Sequence, residues 1–145
     1  MGGLLDEKGG VGVNQRDRGR PEGQARPEDE IKRSIGSLRA LKDYTGDRIV
    51  ADAEKLAQIV RGDLKNAQLR NIYGEVKRME MDFKKSEFSR DRLVLLKPKL
   101  TYAAIKKWEV RPIKEVLTVC IDRVQDKEDF KKFVNFFEAV LAYHR

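Results

Sequence analysis

The apolar residues of this chain recur at helical spacing almost without interruption from Pro27 to the C-terminus. The clearest stretch keeps its apolar side chains within an arc of about 120°, counted at 100° per residue. These side chains are Leu69, Ile72, Tyr73, Val76, Met79 and Phe83. No stretch has the sustained alternation of apolar and polar residues that a half-buried strand requires. The sequence therefore predicts an all-α fold, a compact bundle of five to six helices with short loops.

Helix-breaking and capping residues divide the first half of the folded part into three predicted segments. The first covers residues 28–43, and Gly46 separates it from the second. Asp47 is expected to cap the second helix, and Gly62 is expected to end it. A third helix is predicted to start near Asn66.

The second half is divided by a polar break at residues 86–89 and by two prolines. A fourth segment is predicted over residues 90–108. Because Pro98 lies inside it, either this helix kinks there or two short helices meet. Pro112 is expected to open the fifth helix at the first helical position, where proline is favoured. Asp126 is expected to cap the last helix.

Residues 1–27 differ in composition from the rest of the chain. They hold seven of the eleven glycines and two of the four prolines, and no apolar periodicity follows Leu5. Such a segment buries too little surface to offset the entropy lost on ordering it. We therefore predict a disordered, flexible Gly-rich tail over 1–27 and one helical bundle domain over 28–145. Acidic and basic residues cancel within the first 28 residues, so the formal charge of +7 belongs to the remainder.

The inventory of reactive residues argues against an enzyme. One Cys and one His exclude an internal disulfide and the usual sets of zinc ligands. Cys120 and His144 are instead expected in the core and at a helix end. No phosphate-binding glycine loop and no arginine–histidine pair typical of small helical ribonucleases is present. The acids Asp126, Glu128 and Asp129 cluster at a helix start, where the helix dipole explains them. We expect no catalytic residue, no metal and no cofactor.

The hydropathy of the chain predicts a cytoplasmic protein without a membrane partner. No apolar run approaches the roughly 20 residues that a membrane helix needs. The first residues also lack the charged and then apolar segments of a secretory signal. The basic surplus, 31 Lys and Arg against 24 Asp and Glu, favours phosphate-rich partners.

The predicted third helix concentrates positive charge on one flank. Arg70, Lys77 and Lys84 are spaced by seven residues, and Arg78 extends the same side. A helix that is merely soluble tends to mix charges of both signs through i,i+4 pairs. A row of cations along a helix can instead follow a phosphate backbone.

The predicted fourth helix repeats this pattern if it is continuous. Arg92, Lys99 and Lys106 then recur every seven residues, within about 40° of one another. Tyr102 lies beside two of them, and Lys97 adds charge nearby. A tyrosine among cations can stack on an unpaired base.

Two interpretations of these basic flanks remain open. They are either a contact for RNA or DNA, which the charge segregation favours, or solvated faces of a highly charged protein. Without nucleic-acid contact, the chain would be a helical oligomerisation or adaptor module. No zinc finger, ribonucleoprotein aromatic motif or Gly-Xaa-Xaa-Gly clamp occurs. Any nucleic-acid contact is therefore expected to hold phosphates without reading sequence.

Three runs of residues resemble a known family. They are LRNIYGEV at 69–76, LLKPKLTYA at 95–103 and FKKFVNFFEAVLAYH at 130–144. Their order and spacing resemble the small helical subunit of type III-A CRISPR–Cas interference complexes, the Csm complex. The resemblance covers roughly residues 45–145 and leaves out the Gly-rich tail.

This resemblance implies an all-α subunit of an antiviral defence complex without catalysis of its own. Several copies would stack beside the backbone and large subunits and line the channel in which guide RNA and target RNA pair. The residues that the resemblance favours as RNA contacts are Arg70, Lys77, Lys97, Lys99 and Lys106. A second rank comprises Arg78, Arg90 and Arg92.

The last predicted helix carries aromatic residues beyond its main apolar stripe. Phe136 and Tyr143 widen the apolar arc to about 180°. Either this helix is buried on two sides within the bundle, or the extra aromatic surface contacts another subunit.

Overall fold

The computed structural model describes residues 25–60 and 67–144. Within these ranges the chain forms seven α-helices and no strand. Their bounds are α1 Asp29–Gly36, α2 Gly46–Ile59, α3 Ala67–Lys85, α4 Arg90–Val94, α5 Leu96–Lys106, α6 Arg111–Asp122 and α7 Lys127–Tyr143. Two short 3-10 turns lie at Leu41–Asp43 and Trp108–Val110. Six of the helices have eight residues or more, so the predicted all-α bundle is confirmed.

The predicted tail lies almost wholly outside the described residues, which begin at Ala25. The division of the chain into residues 1–27 and 28–145 therefore stays a prediction. Gly62 and Asn66, which were expected to mark the second and third helices, also lie outside the described ranges. None of the helices within those ranges is long and apolar enough to cross a membrane.

The start of α2 differs from the prediction by two residues. Thr45 is the N-cap, and its hydroxyl accepts a hydrogen bond from the backbone N–H of Arg48 at 3.3 Å. The prediction that Asp47 caps this helix is wrong, because Asp47 lies in its first turn, where its charge suits the helix dipole. Gly46 is the first helical residue and not a breaker. The predicted first segment ends early, at Gly36, and continues as an irregular stretch before the 3-10 turn.

The predicted fourth segment is divided into α4 and α5, and the division falls at Leu95. Proline has no N–H, and its ring collides with the carbonyl four residues earlier in a continuous helix. Pro98 is the third residue of α5, a position where proline is tolerated because the N–H has no helical partner there. Of the two alternatives, the meeting of two short helices is therefore confirmed.

Two other predicted helix starts are confirmed. Pro112 lies in the first turn of α6. Asp126 caps α7 and accepts a hydrogen bond from the backbone N–H of Asp129 at 2.9 Å. The fully buried carboxylate of Asp129 accepts two further backbone hydrogen bonds, from Lys42 at 2.7 Å and Gln125 at 2.8 Å. The carboxylate of Asp129 therefore connects the start of α7 to the first 3-10 turn and to the loop before α7.

Helix α7 forms the centre of the bundle, packed against α2, α3, α6 and the first 3-10 turn. Phe136 is fully buried, and its ring centroid lies 5.8 Å from that of Tyr44. The helix is therefore buried on two sides, and the alternative that Phe136 contacts another subunit is wrong. Tyr143 keeps 43% of its surface exposed.

The single cysteine and the single histidine of the chain lie where the sequence predicts them. Cys120 is fully buried, and burial raises the pKa of its thiol. The Nε2 atom of His144 lies 3.2 Å from the carbonyl oxygen of Val60, at the end of α7. Their predicted placement in the core and at a helix end is confirmed.

Candidate nucleic-acid interface

Helices α3 and α5 pack side by side and leave an open cleft of about 450 Å³ between them. The side chains that α3 contributes are Gln68, Asn71, Ile72, Glu75 and Arg78. Those that α5 contributes are Pro98, Lys99 and Tyr102. Spacings of three and four residues bring such side chains to one face of a helix. The two landmark runs at 69–76 and 95–103 therefore meet at this cleft.

The cleft is lined by one partly buried acid, Glu75. Its carboxylate accepts a hydrogen bond from the Arg78 guanidinium at 2.9 Å and lies 3.6 Å from Arg92. The hydrogen bond from Arg78, with the nearby charges of Lys99, Arg78 and Arg92, holds the pKa of Glu75 below its ordinary value. Glu75 is therefore ionised at neutral pH, and its charge offsets that of Arg78.

The α5 side of the cleft is cationic and aromatic. Lys99, Tyr102 and Lys106 fall within about 60° on the helix, and all three are exposed. The Lys106 ammonium lies 5.5 Å from the centroid of the Tyr102 ring. Neither lysine forms an ion pair with an acid of the described residues. This edge therefore presents two positive charges and one exposed aromatic ring to solvent.

Arg70 lies outside the cleft, about 100° around the α3 axis from Asn71. It is exposed and makes no ion pair within residues 25–60 and 67–144. Together with Lys99 and Lys106, it is one of three predicted contact residues that form no ion pair with a described acid.

Four other predicted contact residues bind groups of the protein itself: Lys77, Lys97, Arg90 and Arg92. The Lys77 ammonium lies 2.8 Å from Glu80 and 3.9 Å from Glu138. The hydrogen bond that the Lys77 ammonium donates to Glu80 is the largest cause that raises the pKa of Lys77. Lys97 forms a 2.5 Å ion pair with Asp122 of α6.

Arginines 90 and 92 hold α4 in place. Arg92 donates to Asp82 of α3 at 2.8 Å, and its guanidinium lies 5.8 Å from the ring centroid of Phe83. Arg90 donates from Nε to the carbonyl oxygen of Val124 at 3.0 Å. Because α4 ends before α5 begins, Arg92 does not continue the row of Lys99 and Lys106. The predicted row of Arg92, Lys99 and Lys106, spaced by seven residues, is therefore wrong for Arg92.

Sequence reasoning missed the two carboxamides of the cleft. Asn71 is exposed, and Gln68 is half-buried. The helical spacing could have indicated Asn71 as a site residue. Asn71, Glu75 and Arg78 are spaced by four and three residues, on the flank beside the apolar stripe. Among the described residues, no group of three His, Cys, Asp or Glu side chains is arranged to hold a metal ion.

Comparisons with known proteins identify the family. The family model described as Csm2 Type III-A matches residues 43–145. No curated protein and no solved structure matches the chain significantly. The family match covers more than half of the chain and includes α2 to α7 and the whole α3–α5 cleft. The chain therefore belongs to the Csm2 family, the small subunits of type III-A CRISPR–Cas effector complexes.

Proposed function

We propose that this chain is a non-catalytic subunit that binds guide RNA and target RNA along the α3–α5 cleft of a type III-A complex in the cytoplasm. The observation that carries the proposal is that Arg70 of α3 and Lys99 and Lys106 of α5, the two helices that form this cleft, are exposed and form no ion pair with an acid of the described residues. Unpaired cations are available to phosphates, whereas a cation held by a carboxylate must first break that ion pair.

The mechanism is electrostatic and positional. Cations on the edges of the cleft hold the ribose–phosphate backbone, while other subunits carry out any cleavage. With about three phosphates neutralised on a single strand, the binding constant would fall about 20-fold between 50 and 200 mM salt. Isolated binding is therefore weak, and affinity rises when several copies align along one strand.

We also propose contacts with other copies of this chain and with the backbone and large subunits of the complex. Leu95, between α4 and α5, is 63% exposed, Ile105 of α5 is 72% exposed, and Tyr143 at the end of α7 is 43% exposed. Large apolar side chains left outside the core are the usual anchors of subunit contacts. Such contacts also support the alternative of an oligomerisation or adaptor module.

Charge reversal separates the two functions. The variant Arg70→Glu with Lys99→Glu removes two unpaired cations and adds two acids, so we expect RNA retention in a reconstituted complex to fall at least tenfold. Binding of single-stranded RNA to the isolated chain, measured by filter binding across a salt series, should fall in parallel. The matched control is Arg33→Glu with Lys131→Glu, two exposed cations on α1 and α7 with the same total change in charge. Equal RNA retention by the two double variants would favour the adaptor module.

A further inference from the structure

We propose that the α3–α5 cleft holds one unpaired nucleobase, stacked on Tyr102 and hydrogen-bonded by the carboxamide of Asn71. This inference rests on the proposed RNA contact and adds a binding site for the base to that for the phosphates. It would make the cleft a site for an unpaired nucleotide, because a base inside a duplex is already stacked and paired.

The shape of the cleft suits a flat, partly apolar group. Its volume of about 450 Å³ lies within the usual range for small-molecule sites. Ile72, only 3% exposed, and the ring of Pro98 supply apolar surface. The Tyr102 ring, 51% exposed, provides a platform on the α5 side. Stacking of a base on such a ring tolerates any of the four bases, because each has a π-face.

The charges that line the cleft suit a base with its phosphate beside it. The ionised carboxylate of Glu75 repels a phosphate but can accept a hydrogen bond from a base amine. The cations Arg78 and Lys99 line the same cleft, and Arg78 is paired with Glu75. Lys99, which forms no ion pair with a described acid, is available to a phosphate next to the base.

The carboxamides of Gln68 and Asn71, which line the cleft, suit the hydrogen-bonding edge of a base. Asn71 and Gln68 each offer N–H donors and an oxygen acceptor, and neither has a hydrogen-bond partner among the side chains of the described residues. A phosphate only accepts hydrogen bonds, whereas the edge of a base carries donors and acceptors together. A pair of free carboxamides beside a carboxylate is therefore suited to a base.

The test compares two single-stranded probes with equal numbers of phosphates, an oligoadenylate and an oligomer of abasic ribose phosphates. Binding of each probe to the full chain is measured by fluorescence anisotropy at low salt. We expect the wild-type chain to prefer the oligoadenylate at least fivefold, the loss expected for one stacked base. Tyr102→Ala should remove most of this preference without changing the affinity for the abasic probe, whereas Tyr102→Phe should keep it.

Val50→Ala is the control, because it truncates another half-exposed apolar side chain, on α2 and outside the cleft. Asn71→Ala gives a second variant of an exposed residue and should reduce the preference twofold or more. Equal binding of the two probes by the wild-type chain would overturn the base site and leave the phosphate contact standing. Equal loss of both probes in Arg70→Glu with Lys99→Glu would support the phosphate contact independently. If the wild-type chain binds neither probe, both the base site and the proposed direct RNA contact are overturned.

Discussion

The carboxylate of Glu28 lies 2.5 Å from the guanidinium of Arg111, and Glu28 is only 1% exposed. This buried ion pair joins the start of α1 to the start of α6. The Arg111 guanidinium also lies 5.5 Å from the ring centroid of Trp108. The pair therefore fixes α1 and the second 3-10 turn to the same end of α6.

Removing one partner of this pair should be costly. Glu28→Gln leaves a largely buried arginine without its counter-charge, and we expect the free energy of unfolding to fall by about 3–5 kcal/mol. The measurement is a urea unfolding curve followed by circular dichroism. Glu30→Gln is the control, since Glu30 is exposed and pairs with Lys55 at the surface. Similar losses in the two variants would show that burial of the pair has no special weight.

The buried carboxylate of Asp129 should be nearly as important. Asp129→Ala removes the acceptor of the Lys42 and Gln125 backbone N–H groups. With about 1–3 kcal/mol for each unsatisfied buried donor, we expect the midpoint of thermal unfolding to fall by several degrees. Glu128→Ala, at the neighbouring exposed position, should change it little. A small effect of Asp129→Ala would mean that water satisfies both donors.

The local signals in the sequence predicted most of the fold. Pro112 and Asp126 act on their own helix turns, so their roles could be deduced from neighbouring residues. A break near Leu95 was one of two predicted alternatives, because Pro98 disrupts a regular helix. The N-cap of α2 is Thr45 and not the predicted Asp47. Both residue types can accept a first-turn N–H, so the sequence alone did not distinguish them.

The candidate site was only partly predictable. The pairing of Lys77 with Glu80 joins neighbours on one helix, at a separation of three residues. In contrast, Lys97 and Asp122 are 25 residues apart and meet only because α5 packs on α6. Helical spacing therefore indicates some of the pairings, such as that of Lys77, and the rest depend on tertiary packing.

Gly74 offers a gain in stability. It lies within the 19-residue helix α3, and a Cβ atom added there would meet no other atom within 4 Å. Because glycine inside a helix costs about 0.5–1 kcal/mol relative to alanine, Gly74→Ala should raise the free energy of unfolding by that amount. Gly46→Ala, at the open first residue of α2, should give a smaller gain. Destabilisation by Gly74→Ala would contradict the open surroundings of this residue.

Asp126 should contribute to acid sensitivity. The hydrogen bond from the Lys42 ammonium at 2.7 Å, followed by the backbone N–H of Asp129, lowers the pKa of the Asp126 carboxyl. A carboxyl whose pKa is lower in the folded state stabilises the fold above its unfolded pKa of about 3.9. That stabilisation is lost as the pH falls further, through the folded-state pKa.

Asp126→Asn keeps a capping oxygen but removes the charge. We therefore expect it to lower the unfolding temperature at neutral pH, and we expect the difference from the wild type to shrink as the pH falls from about 4 through the folded-state pKa. Thermal unfolding between pH 2.5 and 7 measures the difference. Glu128→Gln, at an exposed position in the same turn, is the control. A difference that persists unchanged at the lowest pH would indicate that the Asp126 charge has no part in it.

The salt dependence of RNA binding should separate unpaired from paired cations. Lys99 has no acid partner among the described residues, so Lys99→Gln should reduce the slope of log K against log salt by about 0.7, the value for one phosphate of a single strand. Lys77 is held by Glu80 and Glu138, and Lys77→Gln should leave the slope nearly unchanged. Both variants lose one positive charge, so a general effect of net charge would lower the two slopes equally. Filter binding of single-stranded RNA between 50 and 200 mM salt distinguishes these outcomes, because only a direct phosphate contact makes the position of the lost charge matter.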